Sequence, residues 1–103
     1  MTQATLTVRE DSGTLSGDLT FATAGSLHHQ MQAHSQMPDS IDLADVGRID
    51  SGGLALLLEW QSIFRNQAGP KSMITINNPP PALMSIARLC DASQYLAGNS
   101  ELN

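Results

Sequence analysis

The chain has 103 residues, of which 41% are hydrophobic, so it has the length and the apolar content of one domain with a single core. This composition argues against a chain that is disordered throughout. The formal net charge of −5 at pH 7 and the pI near 4.8 argue against a nucleic-acid-binding face and against a polybasic membrane anchor. We therefore predict one domain over residues 1–103, with no nucleic-acid partner and no direct membrane insertion.

The first two elements are predicted to be strands. Apolar and polar residues alternate over 4–9, with Leu6 and Val8 on one face. Turn-forming residues follow at 11–13, and a second short strand is predicted over 14–20. Two strands joined by so short a turn indicate a hairpin.

The spacing of apolar residues becomes helical from about Ala22. A cap at Thr20 or Thr23 is expected, and residues 37–40, which include Pro38, break the helix. The residues at helical spacing are Ala24, Leu27 and Met31, and His34 continues the line.

A third strand is predicted from Ile41 to about Val46, and the strongest helix runs from near Gly52 to about Ala68. Gly69 and Pro70 form a typical C-terminal signal for that helix. Residues on its opposite, polar face are Glu59, Ser62 and Asn66. Its predicted core face comprises Leu56, Leu57, Trp60, Ile63, Phe64 and Ala68.

A fourth strand over 73–76 and a last helix complete the chain, and a polar, frayed tail is expected over 98–103. The last helix is marked by Leu83, Ile86, Ala87 and Cys90, and we expect it to end near Cys90. The order β-β-α-β-α-β-α predicts an α/β fold with a mixed sheet of four to five strands, covered mainly on one face by helices.

Most candidate sites for chemistry fail on their spacing. His28 and His34 are six residues apart, with no cysteine or carboxylate that completes a metal site, and His29 is expected at the surface. Cys90 has no base beside it in the sequence and is expected to be a small core residue. As the only cysteine it also excludes an internal disulfide, which favours a reducing compartment. We predict no enzyme activity, no metal and no cofactor.

The segment Asp50-Ser51-Gly52-Gly53 precedes the strong helix and is the candidate that remains. Asp50 or Ser51 can cap the helix by accepting hydrogen bonds from its first free N–H groups. Capping does not explain two glycines, because glycine costs about 1 kcal/mol relative to alanine inside a helix. We interpret Gly52 and Gly53 as clearance for the close approach of a partner.

A line of small, weakly polar residues, the small-residue ridge, runs along the same helix beside its core face. It consists of Ser51, Ala55, Leu58 and Ser62. A ridge of small groups around one leucine suits docking of another protein, although Leu58 can also be read as the edge of the core. The predicted partner-binding residues are Asp50, Ser51, Gly52, Gly53, Leu54, Ala55, Leu58 and Ser62.

The segments 16-SGDLT-20 and 42-DLADVGRIDSGGLALLLEW-60 resemble a STAS domain, the fold of sulfate transporters and anti-sigma-factor antagonists, and the order of elements agrees over the whole chain. The family signature falls on Asp50 to Leu54. Anti-sigma-factor antagonists more often have Asp-Ser-Ser-Gly here. The pattern from Asp50 to Leu58 is closer to the MlaB branch, as is LSGDLTFATAGSL.

The resemblance to MlaB implies a non-enzymatic cytoplasmic subunit that binds an MlaF-like ATPase of an ABC transporter, in a complex with a membrane permease. Such a transporter moves phospholipid between the inner and outer membranes and maintains outer-membrane lipid asymmetry. The chain would then lie at the inner membrane through its partner, and Ser51 would contact the ATPase. The alternative is an anti-sigma-factor antagonist that a cognate kinase, its anti-sigma factor, switches by phosphorylating Ser51.

Overall fold

The computed structural model describes residues 3–96, and the predicted frayed tail at 98–103 lies outside them. The described part contains four strands and three α-helices in the predicted order, followed by one turn of 3-10 helix. The strands are β1 (Ala4–Arg9), β2 (Ser12–Leu19), β3 (Ser40–Ile49) and β4 (Thr75–Asn77). The helices are α1 (Phe21–Gln32), α2 (Ser51–Ala68) and α3 (Pro81–Leu89), and the 3-10 turn is Ser93–Tyr95.

The strands form one mixed sheet in the order β1-β2-β3-β4. The pair β1 and β2 is antiparallel, which confirms the hairpin, whereas β3 is parallel to both β2 and β4. Because β2 and β3 are parallel neighbours, their carboxyl ends meet at one edge, where Leu19 pairs with Ile49. Helices α1 and α2 each begin two residues beyond that pair, so their N-termini meet at the same edge.

The core lies between one face of the sheet and the helices. Residues that alternate along the strands, such as Leu6, Leu15 and Ile41, are buried, and Thr5 and Thr7 on the other face are exposed. The helices contribute Leu27, Met31, Leu57, Trp60 and Leu83 to this core. This packing confirms a fold with helices on one face of the sheet.

Several predicted boundaries and core positions are corrected. Helix α1 ends at Gln32, so His34 lies beyond it and is exposed. Strand β3 extends to Ile49, and β4 begins two residues later than expected. On α2, Ala68 is exposed and Ile63 is only half-buried, because these positions lie at the edge of the contact with the sheet.

Cys90 is exposed, so its prediction as a core residue is wrong. Helix α3 ends at Leu89, and Asp91 then takes a left-handed backbone conformation with φ of 57°. The chain therefore turns before the helical face that buries Leu83 and Ala87 reaches Cys90.

Gln61 is a buried polar residue of α2 that the apolar pattern does not predict. Its amide nitrogen donates to the carbonyl oxygens of Ile74 (2.9 Å) and Tyr95 (2.8 Å), and its amide oxygen accepts from the Ile74 N–H (2.7 Å). These bonds satisfy the buried amide and attach the chain before β4 and the 3-10 turn to α2.

Candidate functional site

The candidate site lies at the sheet edge where α1 and α2 begin. Asp50 is the N-cap of α2, and its Oδ1 accepts hydrogen bonds from the N–H groups of Gly52 (2.8 Å) and Gly53 (3.3 Å). Of the two predicted caps, the structure therefore selects Asp50. A carboxylate at this position also interacts favourably with the helix dipole.

The carboxylate of Asp50 also caps the neighbouring helix. The N–H of Phe21, the first residue of α1, donates to Asp50 Oδ1 (3.1 Å) and Oδ2 (3.3 Å). One side chain thus holds the N-termini of two helices at the sheet edge. The sequence gives no direct sign of this link between residues 29 positions apart, and only the parallel pairing of β2 and β3 could have indicated it.

Ser51 is the first residue of α2 and is exposed. Because Asp50 takes the capping role, the Ser51 hydroxyl is not needed for it. Within residues 3–96 this hydroxyl makes no hydrogen bond. The structure therefore presents an exposed hydroxyl that is free to exchange a hydrogen bond. The helix terminus that carries it is held in place by the hydrogen bonds of Asp50.

Gly52 and Gly53 are buried against the chain itself, which corrects their interpretation as clearance for a partner. A Cβ on Gly52 would lie 2.5 Å from Cγ of Phe21, and a Cβ on Gly53 would lie 2.1 Å from the carbonyl oxygen of Leu19. The close approach inferred from the paired glycines is real, but the approaching groups belong to α1 and β2. Leu54 is only 3% exposed and belongs to the core.

The small-residue ridge is on the surface, as its spacing indicates. Ser51, Ala55 and Ser62 are exposed, and Leu58 is half-buried. The structure therefore separates the eight predicted partner-binding residues into two groups. Gly52, Gly53 and Leu54 are internal, and the ridge residues are accessible, with Asp50 half-buried between the two groups.

Phe21 is a surface residue of the site that the sequence reading missed. Its side chain is 74% exposed, although its Cγ lies close above Gly52. A large aromatic at the first position of a helix, directly after a capping threonine, was the available signal. Phe21 adds an exposed apolar group at the contact between the starts of α1 and α2.

The segment 16-SGD-18 has a structural role at the same end of the sheet. Gly17 has φ of +90°, and a Cβ there would lie 2.2 Å from the carbonyl oxygen of Gln3. The Arg48 N–H donates to Asp18 Oδ1 (2.9 Å), which joins β2 to β3 just before the capping residue. This part of the motif therefore builds the platform from which α1 and α2 start.

No group of three His, Cys, Asp or Glu within residues 3–96 is arranged to hold a metal ion. The side-chain amide of Asn78 and the N–H of Ala44 donate to Asp42 and lower the pKa of its carboxyl. Since hydrogen bonds hold Asp42 in its ionised form, it has the environment of a structural acid.

No helix among residues 3–96 has the length and apolar character to cross a membrane.

A mixed sheet covered on one face by helices defines a small α/β domain. The family model described as "Mlab, STAS domain" matches residues 5–98. The chain therefore belongs to the STAS domain family, in its MlaB-type group. Domains of this family are generally binding domains and not enzymes. A comparison with curated proteins finds no match.

Proposed function

We propose that the chain is a subunit that binds the ATPase of a phospholipid-transporting ABC transporter and supports its assembly and activity. The single observation that carries this proposal is the exposed Ser51 hydroxyl at the start of the small-residue ridge. Asp50, and not Ser51, caps α2. Membership in the MlaB-type STAS family supports the choice of an ABC transporter as the assembly. Under this proposal the chain works in the cytoplasm and reaches the inner membrane through its partner.

The physical basis of binding is close contact with a surface that costs little to desolvate. Ala55 and Leu58 carry no polar side-chain atoms, and the charge of Asp50 is already compensated by N–H donors from both helices. A partner can therefore cover the ridge without burying an unpaired charge. Phe21 adds an exposed apolar group of the kind that anchors protein interfaces.

Capture of a purified MlaF-like ATPase by the full chain tests this surface. We expect Ser51→Glu and Leu58→Asp each to weaken capture at least tenfold, because each would bury a charge at the contact. Ser85→Glu and Leu89→Asp are controls for an added charge, since both residues are exposed on α3 outside the ridge. Because Leu58 is half-buried, capture by Leu58→Asp is compared only after urea denaturation shows that the variant is folded. Equal capture by all four variants and the unmodified chain would show that the ridge is not the contact surface.

An anti-sigma-factor antagonist is the second candidate, and the accessibility of Ser51 is the observation that favours it. A phosphate on Ser51 would lie at a helix N-terminus, which tolerates negative charge, although Asp50 already occupies the N–H groups of Gly52 and Gly53. Incubation with a cognate anti-sigma-factor kinase and ATP should then add one phosphate, located at Ser51 by mass spectrometry. An unmodified chain after complete incubation with an active kinase would count against this function.

A further inference from the structure

Besides the Asp50–Phe21 contact, a hydrogen bond between two aromatic side chains connects α1 and α2. The indole Nε1–H of Trp60 donates to Nδ1 of His28 over 3.1 Å. Trp60 is 0% exposed, whereas His28 is half-buried at the surface of α1. This bond therefore links the largest of the fully buried side chains in residues 3–96 to a titratable group that water can reach.

This hydrogen bond requires a neutral His28 ring with an unprotonated Nδ1. An indole nitrogen is only ever a donor, so Nδ1 must carry the lone pair and the proton of the neutral ring must be on Nε2. An imidazolium has no acceptor atom, because both of its nitrogens carry protons. Protonation of His28 would therefore leave the buried Trp60 N–H without its partner.

We propose that the Trp60–His28 hydrogen bond is a proton-sensitive clasp between α1 and α2, closed when His28 is neutral and opened when it is protonated. This clasp is independent of the partner proposed above. Its position distinguishes it from the Asp50 contact: His28 lies seven residues after the first residue of α1, and Trp60 lies nine residues after the first residue of α2. At 1.5 Å per residue, the two contacts are roughly 10–14 Å apart along the helices. Opening the clasp would remove one of the contacts that hold the later part of α1, while the hydrogen bonds of Gln30 to β1 and of Asp50 to Phe21 remain.

The surroundings of His28 leave room for this change. The ring borders a cavity of about 360 Å³ between α1 and α2, whose lining also includes Ile63, Gln67 and His34. A protonated ring can turn toward this space and become hydrated. The gap left beside Trp60 would remain largely apolar, since its neighbours are core residues.

Other titratable groups must be distinguished from His28 in any measurement. Between pH 8 and 5.5 an ordinary imidazole and an ordinary α-amino group change charge, whereas ordinary carboxylates and guanidinium groups do not. His29 is the exposed neighbour on α1, and His34 lines the same cavity. Charged groups on the elements packed against α1 are Glu59 and Arg65 on α2, Arg9 on β1 and Asp18 on β2.

The first test is a nitrogen-15 NMR titration of the full chain from pH 8 to 5.5. Trp60 is the only tryptophan, so its indole signal is unambiguous. We expect Nδ1 of His28 to be unprotonated at pH 8, and the indole N–H to shift and exchange faster with the same midpoint at which Nδ1 gains its proton. A neutral ring protonated on Nδ1 would overturn the proposal. So would an indole N–H signal that does not shift as Nδ1 of His28 gains its proton.

The second test separates His28 from the other histidines by urea unfolding at pH 8 and 5.5. Stability gained from a neutral acceptor is present at high pH and is lost as His28 takes up a proton. We expect the ratio of folded to unfolded chain to fall roughly tenfold at the lower pH, as for a buried donor that loses its acceptor. His28→Gln keeps an acceptor that does not titrate, and should remove most of this loss, whereas His29→Gln and His34→Gln should retain it. A full pH-dependent loss in His28→Gln would overturn the proposal, and the NMR test decides it if this variant does not fold.

Discussion

The N-terminal ends of α1 and α2 occupy equivalent places in the fold but are stabilised differently. Each helix starts two residues beyond one member of the same strand pair, with Thr20 and Asp50 at the N-cap positions. The end of α2 is capped by its own Asp50, whereas α1 obtains a carboxylate for Phe21 N–H from that same residue. The start of α1 therefore depends in part on the start of α2, in addition to its own capping contact between Thr20 and Thr23.

This difference explains the composition of the site. The close contact between the two helix starts requires glycine at positions 52 and 53, because Phe21 and Leu19 occupy the space where side chains would lie. The carboxylate of Asp50 accepts from the starts of both helices, and the first residue of each helix is exposed. Those two residues are Phe21 and Ser51, which expose an apolar group and a hydroxyl at the starts of neighbouring helices.

The largest expected effect comes from filling the contact between the helix starts. Gly53→Ala would put a methyl group 2.1 Å from the carbonyl oxygen of Leu19, and the backbone cannot yield without separating β2 from α2. We expect a loss of about 3 kcal/mol or more in the free energy of unfolding, measured by urea denaturation.

Gly25→Ala is the matched control for that substitution. Gly25 is exposed on α1 and has no atom within 4 Å of the added methyl group. We expect it to stabilise the chain by about 0.5–1 kcal/mol, since alanine is the better helix former. Equal effects at the two glycines would mean that helix propensity, and not the contact with Leu19, determines the result.

The next largest effect is expected from removing the shared carboxylate. Asp50→Ala would take acceptors from both helix starts, so we expect a loss of about 2 kcal/mol in the free energy of unfolding. Hydrogen exchange should increase at Phe21 as well as at Gly52, because both N–H groups lose their acceptor, whereas the Gly53 N–H keeps its bond to the backbone carbonyl of Asp50.

Asp45→Ala is the control for the loss of a carboxylate. Asp45 is exposed on β3, and its side chain makes no hydrogen bond within the described residues 3–96, so a change within about 0.5 kcal/mol is expected. If Asp50→Ala increased exchange at the start of α2 alone, the dependence of α1 on Asp50 would be contradicted.

Features that depend on neighbouring residues of the chain could be predicted from the sequence. Local patterns predicted the hairpin, the α2 helix from near Gly52 to Ala68 and the exposed side of the ridge, because alternation and helical spacing record burial along one element. The acid before α2 was also recognised as a possible cap. These features depend on residues that are neighbours in the chain.

The features that were missed depend on contacts between distant segments. The glycines indicated a close approach, but nothing near them in the sequence identifies Leu19 as the group that approaches. Gln61 is polar and yet buried, because its partners Ile74 and Tyr95 come from two later segments. Cys90 is at helical spacing from the apolar residues of α3, but the helix ends one residue before it, at Leu89.

The smallest expected effect on stability comes from Phe21, and it distinguishes a structural residue from a binding residue. Its backbone N–H contributes to the fold, but its ring is 74% exposed. Phe21→Ala keeps the N–H, so we expect the free energy of unfolding to change by less than about 0.5 kcal/mol. If the ring anchors the partner as proposed, capture of the MlaF-like ATPase should fall about tenfold. Leu89→Ala, at a side chain 88% exposed on α3, should change neither quantity. Loss of stability without loss of capture would instead make the Phe21 ring part of the contact between the two helix starts.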